Sequence, residues 1–395
     1  MLKRPLVPAT ALLWGLQFAF LSPALALILV SLYGATPAEV GWVLAVYNAG
    51  GFVAALVIPA WADRRHRYLP VLVVCAVLTV ALAVALALAT SLAVAALALV
   101  VLGGPAGVGM SMLYAHLRHS GASPRVIVNT RALISFAWVA GPPIATAVIG
   151  WFGNRAILLV VAAVGVLTTV LAVVLMRRSR DPDNEPDAGG PSAADVSVAP
   201  MSRPRVAVVV VAFVLAQATN AAAVAVMTLF VTEHLGLPVI WAGLALGLAA
   251  GLEIPALLVM GRLSARFSSL GLLVTGFLAA VVYYAGMILV PGPIALLALQ
   301  VPNAWFFAAV AGVGITLFQD LIPRPGLATG LYTNTRRVGS ILAGPVIAMA
   351  SSPLGYPGVF ATCAGMALVA VVATWGAGRT RPVADDTASD PAQLA

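Results

Sequence analysis

The chain has 395 residues, of which 62% are hydrophobic and only 9% are charged, and its mean hydropathy is +1.05. A soluble domain carries about 25% charged residues, because water must solvate its surface. The composition therefore excludes an ordinary soluble protein and indicates a chain whose surface faces the lipid bilayer. The net charge of +8 does not indicate nucleic acid binding, because the arginines lie in short patches between apolar runs.

Twelve apolar runs are long enough to cross a bilayer, which requires about 20 residues of helix. A polar interval separates the first six runs from the last six. We therefore predict an all-α membrane protein with spans at 8–33, 40–61, 69–90, 92–116, 128–151, 155–176, 205–231, 238–260, 269–290, 293–318, 327–350 and 356–376.

The positive charges predict the orientation of these spans. With a cytoplasmic N-terminus, 17 of the 21 Lys and Arg residues fall in cytoplasmic segments, and Arg155 falls in an outer loop. Arg131, Arg336 and Arg337 fall inside spans. Because cytoplasmic loops are enriched in Lys and Arg, both termini are predicted to be cytoplasmic, in the inner membrane of a bacterium.

The polar interval divides the chain into four parts. Residues 1–176 and 205–378 are two predicted six-helix bundles. Residues 177–204 contain several acidic residues and prolines and are predicted to be a flexible cytoplasmic linker, and residues 379–395 a cytoplasmic tail of similar composition.

The two bundles share an internal repeat. An offset of 202 residues places Gly41 on Gly243 at the start of the second span of each half. The fifth spans contain Asn-Thr-Arg at 129–131 and at 334–336, each followed by Gly-Pro. Matches at equivalent spans indicate a duplicated six-helix unit with pseudo-two-fold symmetry.

The loop at 62–67, ADRRHR, resembles the motif that major facilitator transporters carry between spans 2 and 3, although Pro59 stands where the motif has glycine. Asp63 can lie against the positive N-terminal end of a neighbouring helix while Arg64 pairs nearby. Such contacts would hold the cytoplasmic side closed. The alternative interpretation is that the arginines of this loop only set the topology.

Three further segments narrow the resemblance: RALISFAWVAGPP at 131–143, GLAAGLEIP at 247–255 and LYTNTRRVG at 331–339. Together with GLQ at 15–17, they are similar to the sugar efflux transporter family of the major facilitator superfamily. The resemblance implies the fold of that superfamily and export of sugars or glycosides in exchange for protons, with no cofactor or metal. By motif position, Arg131, Glu253 and Arg337 correspond to the charges of the family.

Glu253 is the carboxylate that lies well inside a predicted span. A charge there costs several kcal/mol, which makes it a functional candidate. Beside it, Gly243, Gly247 and Gly251 form a stripe of small residues that suits close helix packing. We expect Glu253 to face a central cavity and to exchange protons near neutral pH. The alternative is a permanent ion pair that joins two helices.

Arg131, Ser135, Trp138 and Pro142 recur at helical spacing on one face of span 5. Because spans 5 and 8 meet across the two halves in this superfamily, we expect Arg131 and Glu253 to form a switchable ion pair when the cytoplasmic side is closed. The alternative is that Arg131 extends to the lipid headgroups.

Sugars require flat apolar surfaces for their C–H faces and amide or hydroxyl groups for their hydroxyls. Any one of these side chains in a span is as well suited to an interhelical hydrogen bond as to a ligand contact. The evidence for a sugar site is therefore the excess of amides near the expected cavity. The candidate substrate-binding residues are Gln17, Tyr47, Asn48, Trp138, Gln217, Asn220, Gln300, Asn303, Phe307, Tyr332 and Asn334.

The leading hypothesis is a monomeric, proton-coupled exporter of sugars or glycosides that works by rocker-switch alternating access. A multidrug or small-molecule exporter of the same fold is the first alternative, and its pocket would be more apolar. A membrane sugar sensor without transport activity is the second alternative. We do not expect an enzyme, since the spans show no nucleophile–base pair, paired acids or metal-ligand spacing.

Overall fold

The computed structural model describes residues 6–65, 67–120, 122, 124–179, 203–321 and 325–379, and within these ranges the chain forms helices and no strands. The sequence requires this. A long apolar segment in lipid must satisfy its own backbone N–H and C=O groups, and a helix does so within one segment.

The first half contains spans 1 to 6. Span 4 consists of four consecutive helical pieces, and each of the other five spans is one helix. The bounds are Leu6–Tyr33 (span 1), Pro37–Arg65 (span 2), Tyr68–Leu88 (span 3), Leu92–Ala98, Leu99–Gly103, Gly104–Ala106 and Gly109–His119 (span 4), Pro124–Phe152 (span 5) and Ala156–Arg178 (span 6).

The second half contains spans 7 to 12. Spans 11 and 12 are two helices within Pro325–Arg379, separated at Gly355, whose backbone is not helical (φ 63°, ψ −154°). The remaining bounds are Arg203–Leu229 and Phe230–His234 (span 7), Ile240–Leu263 (span 8), Ser269–Ile288 (span 9), and Pro293–Ala298, Gln300–Ala308, Ala309–Val313 and Gly314–Leu321 (span 10).

Among the described residues, eleven segments are long and apolar enough to cross a membrane. The helix that begins at Pro325 and precedes Gly355 supplies the twelfth crossing. The predicted division within 69–116 is confirmed: span 3 ends at Leu88, and the Ser91 hydroxyl accepts a hydrogen bond from the backbone N–H of Val94 (3.4 Å) at the start of span 4. The predicted twelve-span, all-α fold is therefore confirmed.

The predicted linker and tail fall largely outside the described residues. Of the linker 177–204, the structure describes only the helical ends next to Arg178 and Arg203. Residues 180–202 and 380–395 lie outside the described ranges. The linker and tail therefore remain predictions.

Two faces of the helical bundle are used as reference below. The linker face is the side at which span 6 ends at Arg178 and span 7 begins at Arg203. The far face is the opposite side, at which span 1 ends at Tyr33 and span 2 begins at Pro37. Short connections make the spans run alternately between these two faces.

Spans 4 and 10 each contain a π-helical turn near their middle, at Leu99–Gly103 and at Ala309–Val313. These spans occupy equivalent positions in the two halves, so the repeat extends to a local distortion of the helix. π-Helical turns are rare and occur frequently at functional sites. The sequence analysis did not predict them, although glycine pairs mark both places: Gly103 with Gly104, and Gly312 with Gly314.

Candidate functional site

Spans 2 and 11 join the two halves through a glycine–glycine contact. A β-carbon added to Gly41 would lie 2.5 Å from the carbonyl oxygen of Gly344 and 2.6 Å from the amide nitrogen of Ala348. A β-carbon added to Gly344 would likewise overlap the carbonyl oxygen of Gly41. The two backbones are therefore in direct contact, and neither position has room for a side chain.

The same pair of spans is joined once more nearer the middle of the bilayer. The Asn48 side-chain amide donates a hydrogen bond to the carbonyl oxygen of Ser340 (3.0 Å). An amide that bridges two helices in this way satisfies a polar group at a depth where water is scarce.

Spans 5 and 8 form the second contact between the halves. A β-carbon at Gly243 would overlap the Thr146 hydroxyl and lie 2.5 Å from the carbonyl oxygen of Pro142. At Gly247 it would lie 2.6 Å from the carbonyl oxygen of Val139. The predicted role of the glycine stripe in close helix packing is therefore confirmed at Gly243 and Gly247.

Spans 1 and 7 form the third contact. The Thr228 hydroxyl donates a hydrogen bond to the carbonyl oxygen of Pro23 (2.9 Å), and both residues are buried. The contacts of spans 1/7, 2/11 and 5/8 are called the seam below.

The seam runs from the far face to the middle of the bundle. Along span 8, the distance from an added β-carbon to the nearest atom of span 5 increases from 2.6 Å at Gly247 to 3.8 Å at Gly251. At Gly261, near the linker face, no atom of the described residues lies within 4 Å of that position. In the described part of the structure, spans 5 and 8 therefore meet at the far face and part toward the linker face, and a cleft begins at mid-depth.

Glu253 lies where the seam ends. It follows Gly251 by two residues and is half-buried. On span 5, Trp138 is half-buried and directly precedes Val139, the residue that faces Gly251. The side chain of Arg131 lies outside the described part of the structure, so its ion pair with Glu253 remains a prediction.

Gln17 and Tyr47 meet in a small recess inside the first half. Gln17 is 1% exposed, and its side-chain nitrogen donates to the Thr168 hydroxyl, whereas its side-chain oxygen has no hydrogen-bond partner. The recess has a volume of about 10 Å³, and spans 1 to 4 line it through Gln17, Phe18, Leu21, Tyr47, Thr79, Leu82, Gly103 and Ala106.

Three of the predicted substrate-binding side chains bond within the second half. The Asn303 amide donates to the Gln300 side-chain oxygen (2.9 Å), and the Gln300 amide donates to the carbonyl oxygen of Leu296 (2.9 Å). The Tyr332 hydroxyl donates to the carbonyl oxygen of Val310 (3.2 Å). These polar side chains therefore form hydrogen bonds with one another or with the backbone of their own half.

The other candidates of the second half lie on spans 7, 10 and 11. Gln217 is buried and packs against Gly339, which joins spans 7 and 11. Asn220, Phe307 and Asn334 are half-buried. The structure thus leaves these four as candidates for contact with a substrate.

The residues of the predicted gate lie at the linker face or near it. Asp63 and Arg64 are exposed at the end of span 2, where the Arg65 guanidinium stacks over the Trp61 ring at 5.2 Å. Arg337 is half-buried on span 11. Their role as a gate remains a prediction.

A family profile described as Major Facilitator Superfamily matches residues 9–298. The chain is 31% identical over 371 residues to sugar efflux transporter A of Dickeya chrysanthemi, covering 92% of this chain and 93% of that protein. It is also 31% identical over 371 residues to sugar efflux transporter B of Salmonella typhimurium, covering 92% of each. The chain belongs to the sugar efflux transporter family of the major facilitator superfamily.

The fold of this family member resembles that of solved transporters. The crystal structure of the nucleoside transporter NupG superposes with a TM-score of 0.75 at 14% identity, covering 95% of this chain and 98% of that one. At this identity the likeness shows the fold alone. Family and fold together identify a multi-pass membrane transporter and not an enzyme, as the sequence predicted.

Proposed function

We propose that this transporter exports sugars or glycosides from the bacterial cytoplasm in exchange for protons, by alternating access of a central site to the two faces. The observation that carries the proposal is the seam: among the described residues, its contacts join two similar halves from the far face to mid-depth, and Glu253 lies where they end. The sugar class comes from the relatives, which are named sugar efflux transporters.

The positive charges make the linker face cytoplasmic in this proposal. The far face is then periplasmic, and the structure represents the state that is closed to the periplasm and open to the cytoplasm. An exporter takes up its substrate in this state. Spans 2 and 8 both end at this face with arginines in their last turns, Arg64 and Arg65 on span 2 and Arg262 on span 8.

The chemistry of the seam suits a rocker switch. Its contacts are backbone-to-backbone packing at glycines and a few neutral hydrogen bonds, such as that of Asn48 with Ser340. In lipid, interhelical hydrogen bonds contribute about 0.6 kcal/mol on average, and Cα–H···O contacts contribute comparable amounts. A seam built from such contacts packs closely, and little free energy is needed to open it.

Glu253 is the proposed proton carrier. It lies at the mid-depth end of the seam, where one rocking motion changes its exposure from one face to the other. A carboxylate stabilised by Arg131 in one state and protonated in the other would couple proton entry to substrate exit. Protonation removes the charge before the site becomes dehydrated, which avoids the cost of burying an unpaired carboxylate.

The proposed substrate site lies at the same depth. In the first half it contains Gln17, Tyr47, Asn48 and Trp138, which provide amides together with aromatic faces. In the second half, the amides of Gln217, Asn220 and Asn334 and the ring of Phe307 complete it. Amides bond sugar hydroxyls, and aromatic rings pack against their C–H faces.

The proposal is tested with everted membrane vesicles, whose outer surface is the cytoplasmic one. Labelled glucose, lactose and methyl β-glucoside are added with and without an acidic interior. We expect the acidic interior to drive accumulation of at least one of these sugars, and a protonophore to abolish it. Glu253→Gln should lose this accumulation and retain sugar counterflow, which requires no net proton movement.

Glu233→Gln is the matched control. Glu233 is exposed at the far face and accepts a hydrogen bond from the Tyr356 hydroxyl (2.8 Å), which a glutamine can also accept. It should accumulate sugar like the wild type. Full accumulation by Glu253→Gln would exclude Glu253 as the proton carrier. Accumulation of apolar drugs without sugars would favour the multidrug alternative, and sugar binding without movement would favour a sensor.

A further inference from the structure

The side-chain oxygen of Gln17 is a buried hydrogen-bond acceptor whose orientation is fixed. The Thr168 hydroxyl has one hydrogen, and it donates this hydrogen to the carbonyl oxygen of Val164 (2.8 Å). Thr168 can therefore only accept from Gln17, so the amide nitrogen must face Thr168. The amide oxygen is left buried and without a partner.

The second polar side chain whose bonding is fixed in this recess is Thr79. Its hydroxyl donates to the carbonyl oxygen of Cys75 (3.1 Å), so its oxygen has only lone pairs to offer. The recess thus presents acceptors from Gln17 and Thr79 beside the Tyr47 hydroxyl, which can donate or accept, and none of its lining residues is charged. The Gln17 oxygen is satisfied by a neutral hydrogen-bond donor, and a carbonyl or an ether cannot donate to it.

The size of the recess limits its occupant to one small group. A volume of about 10 Å³ is close to the space that a single water-sized oxygen requires. The π-helical turn at Leu99–Gly103 shapes one wall, because a β-carbon at Gly103 would lie only 3.0 Å from the Tyr47 ring. Rings or longer chains are therefore excluded, and a single hydroxyl group fits.

The recess lies at about the depth at which the cleft begins. Gln17, Tyr47, Thr79 and Gly103 all lie near the middle of their spans. Tyr47 is half-buried and directly precedes Asn48, which contacts the second half through Ser340. Tyr47 therefore places one wall of the recess next in the chain to a contact between the halves, within reach of a sugar bound beside that contact.

We propose that this recess is a substrate subsite that receives one hydroxyl group of the sugar, with the Gln17 side-chain oxygen as its acceptor. The inference rests on the proposed function and adds a rule of recognition to it. One particular hydroxyl of the substrate is required as a donor, and derivatives without that hydrogen are discriminated against. Gln17 thereby determines specificity.

The test measures transport of the best sugar among glucose, lactose and methyl β-glucoside, together with its full set of monodeoxy and monodeoxyfluoro derivatives. Fluorine replaces the hydroxyl oxygen and donates no hydrogen. At one ring position, both replacements should lower wild-type transport at limiting concentration by roughly three- to tenfold, the equivalent of one hydrogen bond. In Gln17→Met, the parent sugar should fall by a similar factor and the penalty at that position should disappear.

Two further variants separate recognition from folding. Thr168→Val removes the acceptor of the Gln17 amide nitrogen and lets the amide rotate, so the deoxyfluoro derivative should regain transport relative to the parent. Gln300→Leu removes a buried glutamine whose bonds lie within the second half. It should change transport of the parent and of every derivative by one common factor. Thermal unfolding of each purified variant establishes that it is folded.

The outcomes are distinct. A wild type that moves none of these sugars overturns the proposed function and this inference with it. A wild type that moves sugar, with Gln17→Met lowering the parent and all derivatives by the same factor, overturns the inference alone and indicates a resident water in the recess. The subsite is established if replacement at one ring position lowers transport by the wild type and does not lower transport by Gln17→Met.

Discussion

Gly41 of span 2 and Gly344 of span 11 each occupy the space that a β-carbon of the other residue would need. The two halves of the transporter therefore meet backbone to backbone at the far face. Gly243 repeats this arrangement against span 5 at the position that the internal repeat makes equivalent to Gly41. Glycine at these positions lets the far face close.

Alanine at Gly344 should therefore hold the far face open. The added methyl group meets backbone atoms, which cannot move aside like a flexible side chain, and overpacking of this kind costs about 1–3 kcal/mol. A cysteine at Trp151, exposed at the far end of span 5, can react with an impermeant thiol reagent whether the far face is open or closed, so it does not report this change. A cysteine in place of Thr146 does report it, because Thr146 is buried against Gly243 of the other half and cysteine adds no bulk there.

We expect Gly344→Ala to raise the labelling rate at position 146 by about fivefold or more, as the closed state loses at least 1 kcal/mol. Gly365→Ala is the matched control, because no described atom lies within 4 Å of its added β-carbon. It should leave the labelling rate unchanged. Equal rates in Gly344→Ala and Gly365→Ala would show that the glycine contact does not limit closure.

The stripe on span 8 predicts graded tolerance to alanine. At Gly247 the added methyl group would lie 2.6 Å from the carbonyl oxygen of Val139, whereas at Gly251 it would lie at an ordinary contact distance of 3.8 Å. Sugar efflux should therefore fall at least several-fold in Gly247→Ala and stay near wild type in Gly251→Ala. The reverse order of effects would contradict the described packing of spans 5 and 8.

The hydrogen bond between Thr228 and Pro23 should favour the closed far face. Thr228→Val keeps the volume and removes the donor, which costs about 0.5–1.5 kcal/mol in a buried neutral pair. Labelling of the cysteine at position 146 should consequently increase about two- to tenfold. Thr232→Val is the control one turn away, because its hydroxyl bonds the carbonyl oxygen of Thr228 on its own helix (2.8 Å). If both variants label alike, the contact between spans 1 and 7 has no part in closure.

The sequence predicted the spans because hydrophobic length is a direct requirement of the bilayer. It also predicted the close packing of Gly243 and Gly247 against span 5, because small residues at helical spacing permit close approach. In contrast, the contact of Gly41 with Gly344 joins residues that are far apart in the chain. The residues around each glycine in the sequence do not indicate which residue of the other half it contacts.

The candidate substrate site was predicted less completely. An amide in a span has the same sequence signal whether it bonds a ligand or a neighbouring helix, and the structure shows both outcomes. Gln300 and Asn303 satisfy each other, whereas Gln17 has a side-chain oxygen left without a partner. This difference depends on the hydroxyl of Thr168, which lies five spans further along the chain.

The most direct test of the account measures two distances by double electron–electron resonance, in protein whose buried Cys75 and Cys363 are replaced by serine. One spin-label pair, at Trp151 and Leu289, spans the far face, and the other, at Ser179 and Ser264, spans the linker face; all four residues are exposed. Acidification should shorten the far-face distance and lengthen the linker-face distance in the wild type, because protonation of Glu253 removes the ion pair with Arg131 that holds the linker face closed. Glu253→Gln should show one fixed pair of distances at every pH. Two results would contradict the account. If the two distances change in the same direction, the halves do not rock about the seam. If Glu253→Gln responds to pH as the wild type does, Glu253 does not control the motion.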